Sequence, residues 1–270
     1  MVDSKFDRIR LDKAALLAEV VKLQTDRAYR DSQKLFFIEG VRNFIQAKTA
    51  NFSIATIVYS EKLLIVPPAR QLVRSLRREG IPTVKLSPEE FRKISRTPKA
   101  SGIAAIVRQR WLKLHQLSPQ KNLCWFALER VRSPGNLGTL IRSSEAIGGG
   151  GFILLGNSID PYAPDVIRSS MGALYRQSYI RTSYDSLSHW LRRHHCVVVG
   201  ASVGGKFDFQ HFRYPKSPII FLGEERKGLS HRQQNLCQHL VKIPMVCEGD
   251  SLNLAVAGSL LLYEVYRSKA

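Results

Sequence analysis

Three stretches of the sequence place polar residues and glycines directly after apolar runs, an arrangement that can hold a small ligand. The first, SPGNLGTLIR, contains Asn136 and Arg142. A guanidinium does not readily lose its proton in a protein, but its charge can bind a phosphate or stabilise an oxygen that becomes negative. The stretch also contains Gly135 and Gly138, which allow close approach of the backbone, and Asn136 can cap the helix that follows. Taken alone, it is equally typical of a capped helix with a solvated arginine.

The other two stretches can likewise be interpreted either as ligand-binding or as purely structural. FLGEERKGLS contains Glu224 and forms a glycine-rich loop that can offer backbone N–H and C=O groups to a ligand, or a plain strand-to-helix turn. IPMVCEGDSLNLAVAG leads through Ser251 and Asn253 into an apolar helix, and both residues could simply cap it. A fourth patch, DPYAPDVIRSSMGALYR, carries Arg168 and Ser170 on a helix of small residues that suits close packing as well as function.

Apolar runs and helical patterns alternate along the chain, which favours an α/β fold. In the second half the runs are nearly continuous, as in strands buried on both faces of a parallel sheet. These predicted strands are LCWFALE (123–129), GFILLG (151–156), HCVVVGAS (195–202) and SPIIFLG (217–223). APDVIRSSMGALY and LSHRQQNLCQHL are predicted to be helical, as is the segment from Lys5 to Asp31.

The chain is strongly basic, with 41 Lys and Arg against 22 Asp and Glu and a formal net charge of +19 over 270 residues. Residues 1–120 contribute +12 and the remainder +7. Such a balance indicates a polyanionic partner, most often nucleic acid. The polar, basic segment 110–121 has no clear period, so we predict an N-terminal domain over 1–109, a linker over 110–121 and a second domain over 122–270.

Several classes of protein are not expected. No apolar run approaches the roughly 18 residues of a membrane span, and the N-terminus lacks the pattern of a secretory signal. The cysteines form no C-x-x-C pair, which argues against a zinc ribbon and a disulfide framework; they are Cys124, Cys196, Cys237 and Cys247. We therefore expect no metal, no membrane partner and a cytoplasmic location.

Together, N-x-G-x-x-x-R, F-L-G-E-x-x-G-L-S and I-P-M-x(5)-S-L-N resemble, in order and spacing, the three motifs of the SpoU/TrmH family in the SPOUT superfamily. The D-P-Y-x-P…R-x-S-M-G-A segment is similar to that family, and F-F-I-E-G (36–40) and S-R-T…G-I-A-A-I-V (95–107) are similar to its fused substrate-binding domain. The resemblance covers roughly residues 20–267. Three positions depart from the family's pattern, namely Cys247, Ala255 and Ser101.

The resemblance implies a methyltransferase domain with a parallel sheet and a deep trefoil knot, behind a small L30e-like α/β domain. The cofactor would be S-adenosylmethionine, held by loops 221–230 and 243–252 with residues around 154–158 as a third wall. The residues implied to bind it are Leu222, Gly223, Gly228, Ile243, Met245 and Leu252.

The implied reaction is transfer of the methyl group to an RNA ribose 2′-oxygen. The residues implied to be catalytic are Arg142, Asn136, Glu224, Asn253 and Ser251. Arg142 would bind the target phosphate and stabilise the alkoxide, and the others would orient Arg142 and the ribose. The family completes its site across a homodimer, to which the apolar segment 254–266 is suited.

The basic excess would hold the RNA backbone. The residues expected to do so are Arg168, Ser170, Arg74, Arg78, Arg92 and Arg96. The separate N-terminal domain favours 23S ribosomal RNA as substrate; transfer RNA is the alternative, and a non-catalytic RNA-binding factor for ribosome assembly is the rival outside the enzyme class.

Overall fold

The structure, a computed structural model, describes residues 12–246 and 252–269. The chain divides into two compact units, one up to Gln109 and one from Arg110 onward, each with its own sheet. Within the described ranges, no helix is long and apolar enough to cross a membrane.

The first unit is built on a mixed four-stranded sheet in the order β1-β4-β2-β3. Its central strand β4 runs antiparallel to β1 and β2, and β3 pairs with β2 in parallel. The strands are β1 (Leu35–Glu39), β2 (Ile54–Tyr59), β3 (Thr83–Lys85) and β4 (Ile103–Arg108). The helices are α1 (Lys13–Thr25), α2 (Arg27–Gln33), α3 (Val41–Thr49), α4 (Pro67–Arg78) and α5 (Pro88–Ile94).

The single helix predicted from Lys5 to Asp31 is two helices over its described part. Asp26 separates them because its extended backbone ends α1, while its carboxylate accepts a hydrogen bond from the Tyr29 N–H (3.1 Å) and caps α2. The part of that prediction before residue 12 lies outside the described residues.

The second unit contains a seven-stranded sheet in the order β7-β6-β5-β10-β8-β11-β9, in which every pair is parallel. The expected parallel α/β architecture is confirmed. The strands are β5 (Trp125–Leu128), β6 (Gly151–Leu155), β7 (Ser178–Thr182), β8 (Val198–Ala201), β9 (Phe207–Asp208), β10 (Ile219–Leu222) and β11 (His239–Lys242). The helices are α6 (Pro134–Ile147), α7 (Pro164–Ser169), α8 (Tyr184–His194), α9 (His231–Gln234) and α10 (Leu254–Arg267).

Because all strands run the same way, the sheet has a carboxyl edge, where the strands end, and an amino edge, where they begin. The loops that leave β10, β8 and β11 emerge side by side at the carboxyl edge because these strands are neighbours. The expected knot depends on the path of residues 243–252, of which 247–251 lie outside the described residues, so the knot remains a prediction.

Residues 110–121 are not a free connector. The Tyr162 hydroxyl accepts a hydrogen bond from the Arg110 N–H (2.9 Å) and donates one to its carbonyl (2.6 Å). Leu112 bridges to Ile180 of β7, and Leu117 is buried in the core of the second unit. This segment therefore belongs to the second unit, and its polar composition reflects its exposed face.

Candidate active site

An open cleft of about 320 Å³ lies at the carboxyl edge, between the loops that follow β10, β8 and β11. Its walls include every residue expected from the sequence to bind a cofactor: Leu222, Gly223, Gly228, Ile243, Met245 and Leu252. The third wall is formed by Ala201–Val203, and the expected wall around 154–158 does not line the cleft. The reason is the strand order, since β8 adjoins β10 whereas β6 is separated from it by β5.

The loop after β10 closes on itself. The Glu224 N–H donates to the Gly228 carbonyl (3.1 Å), and the Gly228 N–H donates back to the Glu224 carbonyl (2.9 Å). A Cβ at Gly223 would lie 2.1 Å from the Gly228 carbonyl carbon, so only glycine permits this closure. Gly228 itself has φ of +64°, a conformation that glycine adopts without strain. The cleft therefore has a wall of backbone groups, which suits an adenine that needs an apolar slot and a few hydrogen bonds.

A chain of polar side chains joins three elements at the rim of this cleft. The Asn253 amide donates to the Asn136 side-chain oxygen (2.8 Å), and the Asn136 amide donates to the Glu225 carboxylate (3.3 Å). Asn253 also caps α10 by accepting from the Ala255 N–H (2.9 Å). Asn136 lies in the first turn of α6, where Ser133 rather than Asn136 is the cap. These hydrogen-bonded side chains thus hold the starts of α6 and α10 against the loop after β10.

Glu225 is the residue of this chain that the sequence interpretation missed. The expected residue, Glu224, has a side chain that is 9% exposed and forms ion pairs with Arg132 (2.5 Å) and Arg130 (3.7 Å) instead. Glu225 additionally accepts hydrogen bonds from the Arg132 N–H at 3.2 Å. Only the geometry of the closed loop distinguishes the two adjacent carboxylates. Ser251, also expected in the site, lies outside the described residues.

Arg142 stands apart from this chain. It lies on the exposed face of α6, and it has no hydrogen bond or ion pair within the part of the chain that the structure describes. Helical geometry separates it from Asn136 by about 9 Å along the axis and roughly 120° around it. The structure therefore does not bring Arg142 into hydrogen-bonding contact with this chain of polar side chains.

The residues expected to contact RNA are mostly exposed. Arg74 and Arg78 lie on α4, Arg92 lies on α5, and Arg96 follows α5 with its N–H donated to Glu39 (2.9 Å). The Arg168 side chain is 71% exposed and pairs with Asp165 (3.3 Å).

The expectation that Ser170 contacts RNA is corrected by the structure. Ser170 is fully buried and donates its hydroxyl to the Ile167 carbonyl (2.9 Å), so its side chain is closed to RNA. Its burial follows from the close approach of α6, where a Cβ at Gly138 would lie 2.8 Å from the Ser170 nitrogen. Among the described residues, no group of three or more His, Cys, Asp or Glu could hold a metal ion.

The model of the SpoU rRNA Methylase family matches residues 124–263, which include the cleft and the polar chain. The chain belongs to this family. The model of the MRM3-like substrate binding domain matches residues 17–105 of the first unit.

Relatives of the SpoU family align with most of the chain. The 23S rRNA (uridine(2479)-2′-O)-methyltransferase of Streptomyces viridochromogenes is 29% identical over 241 residues, covering 87% of this chain and 83% of the relative. An AdoMet-bound rRNA methyltransferase from Sinorhizobium meliloti superposes with a TM-score of 0.85 at 28% identity, over 93% of this chain and 94% of that one. The SpoU methyltransferase AviRb from Streptomyces viridochromogenes, in complex with AdoMet, gives 0.84 at 27% identity, over 94% and 98%.

Proposed function

We propose that this SpoU-family protein is an S-adenosylmethionine-dependent methyltransferase of ribose 2′-oxygens in 23S ribosomal RNA, acting in the cytoplasm. The observation that carries the proposal is the cleft of backbone and apolar groups whose rim holds the chain Glu225–Asn136–Asn253. The 2′-O activity named for the Streptomyces relative, aligned over 87% of this chain, supports the reaction and the ribosomal substrate. When bound, the cofactor supplies an electrophilic methyl group on a sulfonium sulfur.

The residues of the protein would position the ribose 2′-hydroxyl, which is a weak nucleophile, and stabilise the negative charge that develops on its oxygen. None of the described residues that line the cleft is a histidine or cysteine, and Glu224 and Glu225, which do line it, are held in contacts with Arg132. A guanidinium keeps its proton at neutral pH, and Arg142 would therefore bind the phosphate beside the target ribose and stabilise the oxygen as it becomes negative. The polar chain, with Glu225 in the position first assigned to Glu224, would orient the ribose.

A second copy of the chain would complete this site. Arg142 neighbours Ser143, whose hydroxyl accepts a hydrogen bond from Ser259 of α10 at 2.7 Å. The exposed face of α10 is apolar, with Val256 48%, Leu260 39% and Tyr263 57% exposed. Exposed apolar patches of this kind mark interfaces. A homodimer formed through α6 and α10 would bury this face and deliver Arg142 to the cleft of the partner.

The test is complementation between two inactive subunits. Arg142→Ala removes the arginine and keeps the cleft, whereas Gly223→Val keeps the arginine and closes the cleft. Each homodimer should be inactive, but a heterodimer should recover about half of wild-type turnover, because one of its two sites joins an intact cleft to the partner's intact arginine. A randomly assembled co-expressed mixture, in which about half of the dimers are heterodimers, should therefore show about a quarter. Recovery of no activity, with both variants folded and dimeric, would place Arg142 in the cleft of its own subunit or outside the reaction.

The RNA target needs a separate measurement. The exposed arginines of α4 and α5 are available to hold an RNA backbone, which supports a structured RNA but leaves its identity to experiment. Mapping 2′-O-methyl groups in ribosomal and transfer RNA from a deletion strain should show one ribosomal position unmethylated. An unmethylated position in transfer RNA would favour that substrate, and failure of the purified protein to bind S-adenosylmethionine in calorimetry would favour a non-catalytic assembly factor.

A further inference from the structure

The amino edge of the seven-stranded sheet, on the side away from the cleft, collects exposed cations. They come from four separate segments of the chain: the turn before β5, the last turn of α8, the turn before β10 and the end of α10. These residues are Lys121, Arg192, Arg193, Lys216 and Lys269, with His194 and His195 beside them.

Main-chain hydrogen bonds fix how these segments lie. The Trp125 N–H donates to the Pro218 carbonyl (3.1 Å) and the Ile219 N–H to the Val197 carbonyl (3.0 Å), so the starts of β5, β10 and β8 are adjacent. The Ser217 hydroxyl donates to the Asn122 carbonyl (2.7 Å) and joins the two lysine-bearing turns directly. Neighbouring strands are about 4.8 Å apart. Lys121, Lys216 and the end of α8 therefore form a row along this edge.

Lys269 adds to the same row. Its ammonium donates to the Leu123 carbonyl (2.9 Å), two residues from Lys121. Burial is the main cause that lowers the pKa of Lys269; Cys124 raises this pKa, and the ammonium of Lys216 lowers it to a smaller extent.

No carboxylate balances this row within the described residues. Lys121, Arg192, Arg193 and Lys216 form no ion pair there. Other cations of the sheet do: Arg132 and Arg232 at the carboxyl edge contact Glu224 and Asp185, and Arg176 at the amino edge contacts Glu145. Cations at a helix C-terminus can compensate the helix dipole, which accounts for the last turn of α8. It does not account for Lys121 and Lys216, which lie outside α-helices, and α6 ends at this edge with Glu145 instead.

We propose that the amino edge is a second phosphate-binding surface, which holds a segment of the RNA substrate remote from the nucleotide in the cleft. The inference rests on the proposed function for the nature of the polyanion. Four-residue strands place the two edges about 13 Å apart before the loops are added, so one RNA segment at each edge requires a folded RNA rather than a short single strand.

The experiment removes the charges from the full-length protein with Lys121→Gln, Arg192→Gln, Arg193→Gln and Lys216→Gln combined. Binding to an unmodified 23S ribosomal RNA transcript is measured by filter retention from about 0.05 to 0.3 M salt. We expect affinity at about 0.15 M salt to fall roughly tenfold, and the slope of log affinity against log salt to fall by about 0.7 to 0.9 for each phosphate that the variant no longer binds. S-adenosylmethionine affinity should stay within error of wild type, and the melting temperature should not fall.

A matched control removes two exposed lysines from the β9–β11 side of the same sheet. Lys206→Gln with Lys242→Gln should leave the slope unchanged, whereas Arg192→Gln with Arg193→Gln should lower it. Equal slopes for the two pairs, or an unchanged slope for the fourfold variant, would overturn the second surface. If the wild type binds this RNA but methylates none, the proposed function fails, and the slopes still decide the surface on their own.

Discussion

The two edges of the seven-stranded sheet differ in how their charges are held. At the carboxyl edge, Arg132 beside the cleft is matched with Glu224, although Arg226 forms no ion pair among the described residues. At the amino edge, Lys121 and Lys216 have no such partner among the described residues. Paired charges fix loops in one geometry, which a site for one small ligand requires. Unpaired charges on flexible side chains suit a polyanion that presents many equivalent phosphates.

Glycines mark both edges but serve different ends. At the carboxyl edge, Gly223 lets the loop after β10 fold back on Gly228 and leaves a cleft beside it. At the amino edge, a Cβ at Gly150 would lie 2.5 Å from the Trp125 ring nitrogen, and one at Gly151 would lie 2.1 Å from the Ser178 carbonyl oxygen. There the glycines let strand starts pack without a gap. Close approach of backbone at glycine thus shapes the cleft at the carboxyl edge and allows tight packing of the core at the amino edge.

The largest effect is expected from Gly223→Val. The new side chain would begin 2.1 Å from the Gly228 carbonyl carbon, so the loop must open and the backbone wall of the cleft is removed. S-adenosylmethionine affinity in calorimetry should fall at least about 100-fold, or about 2.7 kcal/mol. Gly204→Ala in the neighbouring loop is the control, because its Cβ would meet nothing nearer than Ser202 Oγ at 4.0 Å. Equal affinities for both variants would show that this loop does not hold the cofactor.

Arg132→Gln tests the pairing at the carboxyl edge. The change leaves Glu224, whose side chain is 9% exposed, with Arg130 at 3.7 Å as its one ion-pair partner among the described residues. A largely buried carboxylate without its closest partner destabilises the fold, here by about 1–2 kcal/mol in urea unfolding since Arg132 itself is half-exposed. Arg226→Gln, in the loop that carries Glu224 and without an ion pair among the described residues, should stay within about 0.5 kcal/mol of wild type. Equal stabilities for the two variants would mean that the pair contributes nothing.

Asn253 allows capping to be separated from the polar chain. Asn253→Ala removes the cap of α10 and should cost about 1 kcal/mol of unfolding free energy. Asn253→Asp keeps a cap acceptor, so it should retain that stability, but it cannot donate to Asn136. Both variants should lose turnover with RNA. Full turnover in Asn253→Asp would show that the hydrogen bond from Asn253 to Asn136 is not needed for the reaction.

The smallest expected effect is a gain in the free energy of unfolding, and it concerns the amino edge. Lys216→Gln relieves repulsion with Lys269 and should stabilise the fold by a few tenths of a kcal/mol, because solvent screens exposed charges. The gain should be present at neutral pH, vanish near 1 M salt, and vanish at high pH where Lys269, whose pKa is lowered, loses its charge. Urea unfolding at low and high salt measures it; destabilisation at low salt would contradict unpaired charge at this edge.

Much of the fold could be predicted because its strands are buried on both faces. The runs at β5, β6, β8 and β10 are continuously apolar, and the structure has a strand at each. The stretch LSHRQQNLCQHL was predicted to be helical throughout, yet α9 ends at Gln234 and β11 begins at His239. This strand is short and only partly buried, so its position beside β8, rather than its own pattern, makes it a strand.

The site was predictable in its backbone parts and less so in its side chains. Glycine and apolar positions of the cleft follow from residue type, because few other residues permit the loop. Which of two adjacent carboxylates faces Asn136 depends on the turn at Gly228, which spacing alone does not specify. The third wall at Ala201–Val203 depends on strand order, which is a property of the whole sheet.

The outermost strands also determine how copies of this protein can associate. A parallel sheet with open sides invites addition of a strand from another molecule. Here the segment through Leu112 covers β7, with its N–H donated to the Tyr179 carbonyl (2.8 Å), and β9 at the far side is only two residues long. Neither side of this sheet offers a long template for strand addition. We therefore expect copies of the chain to associate through helical faces of the second unit rather than by extension of this sheet.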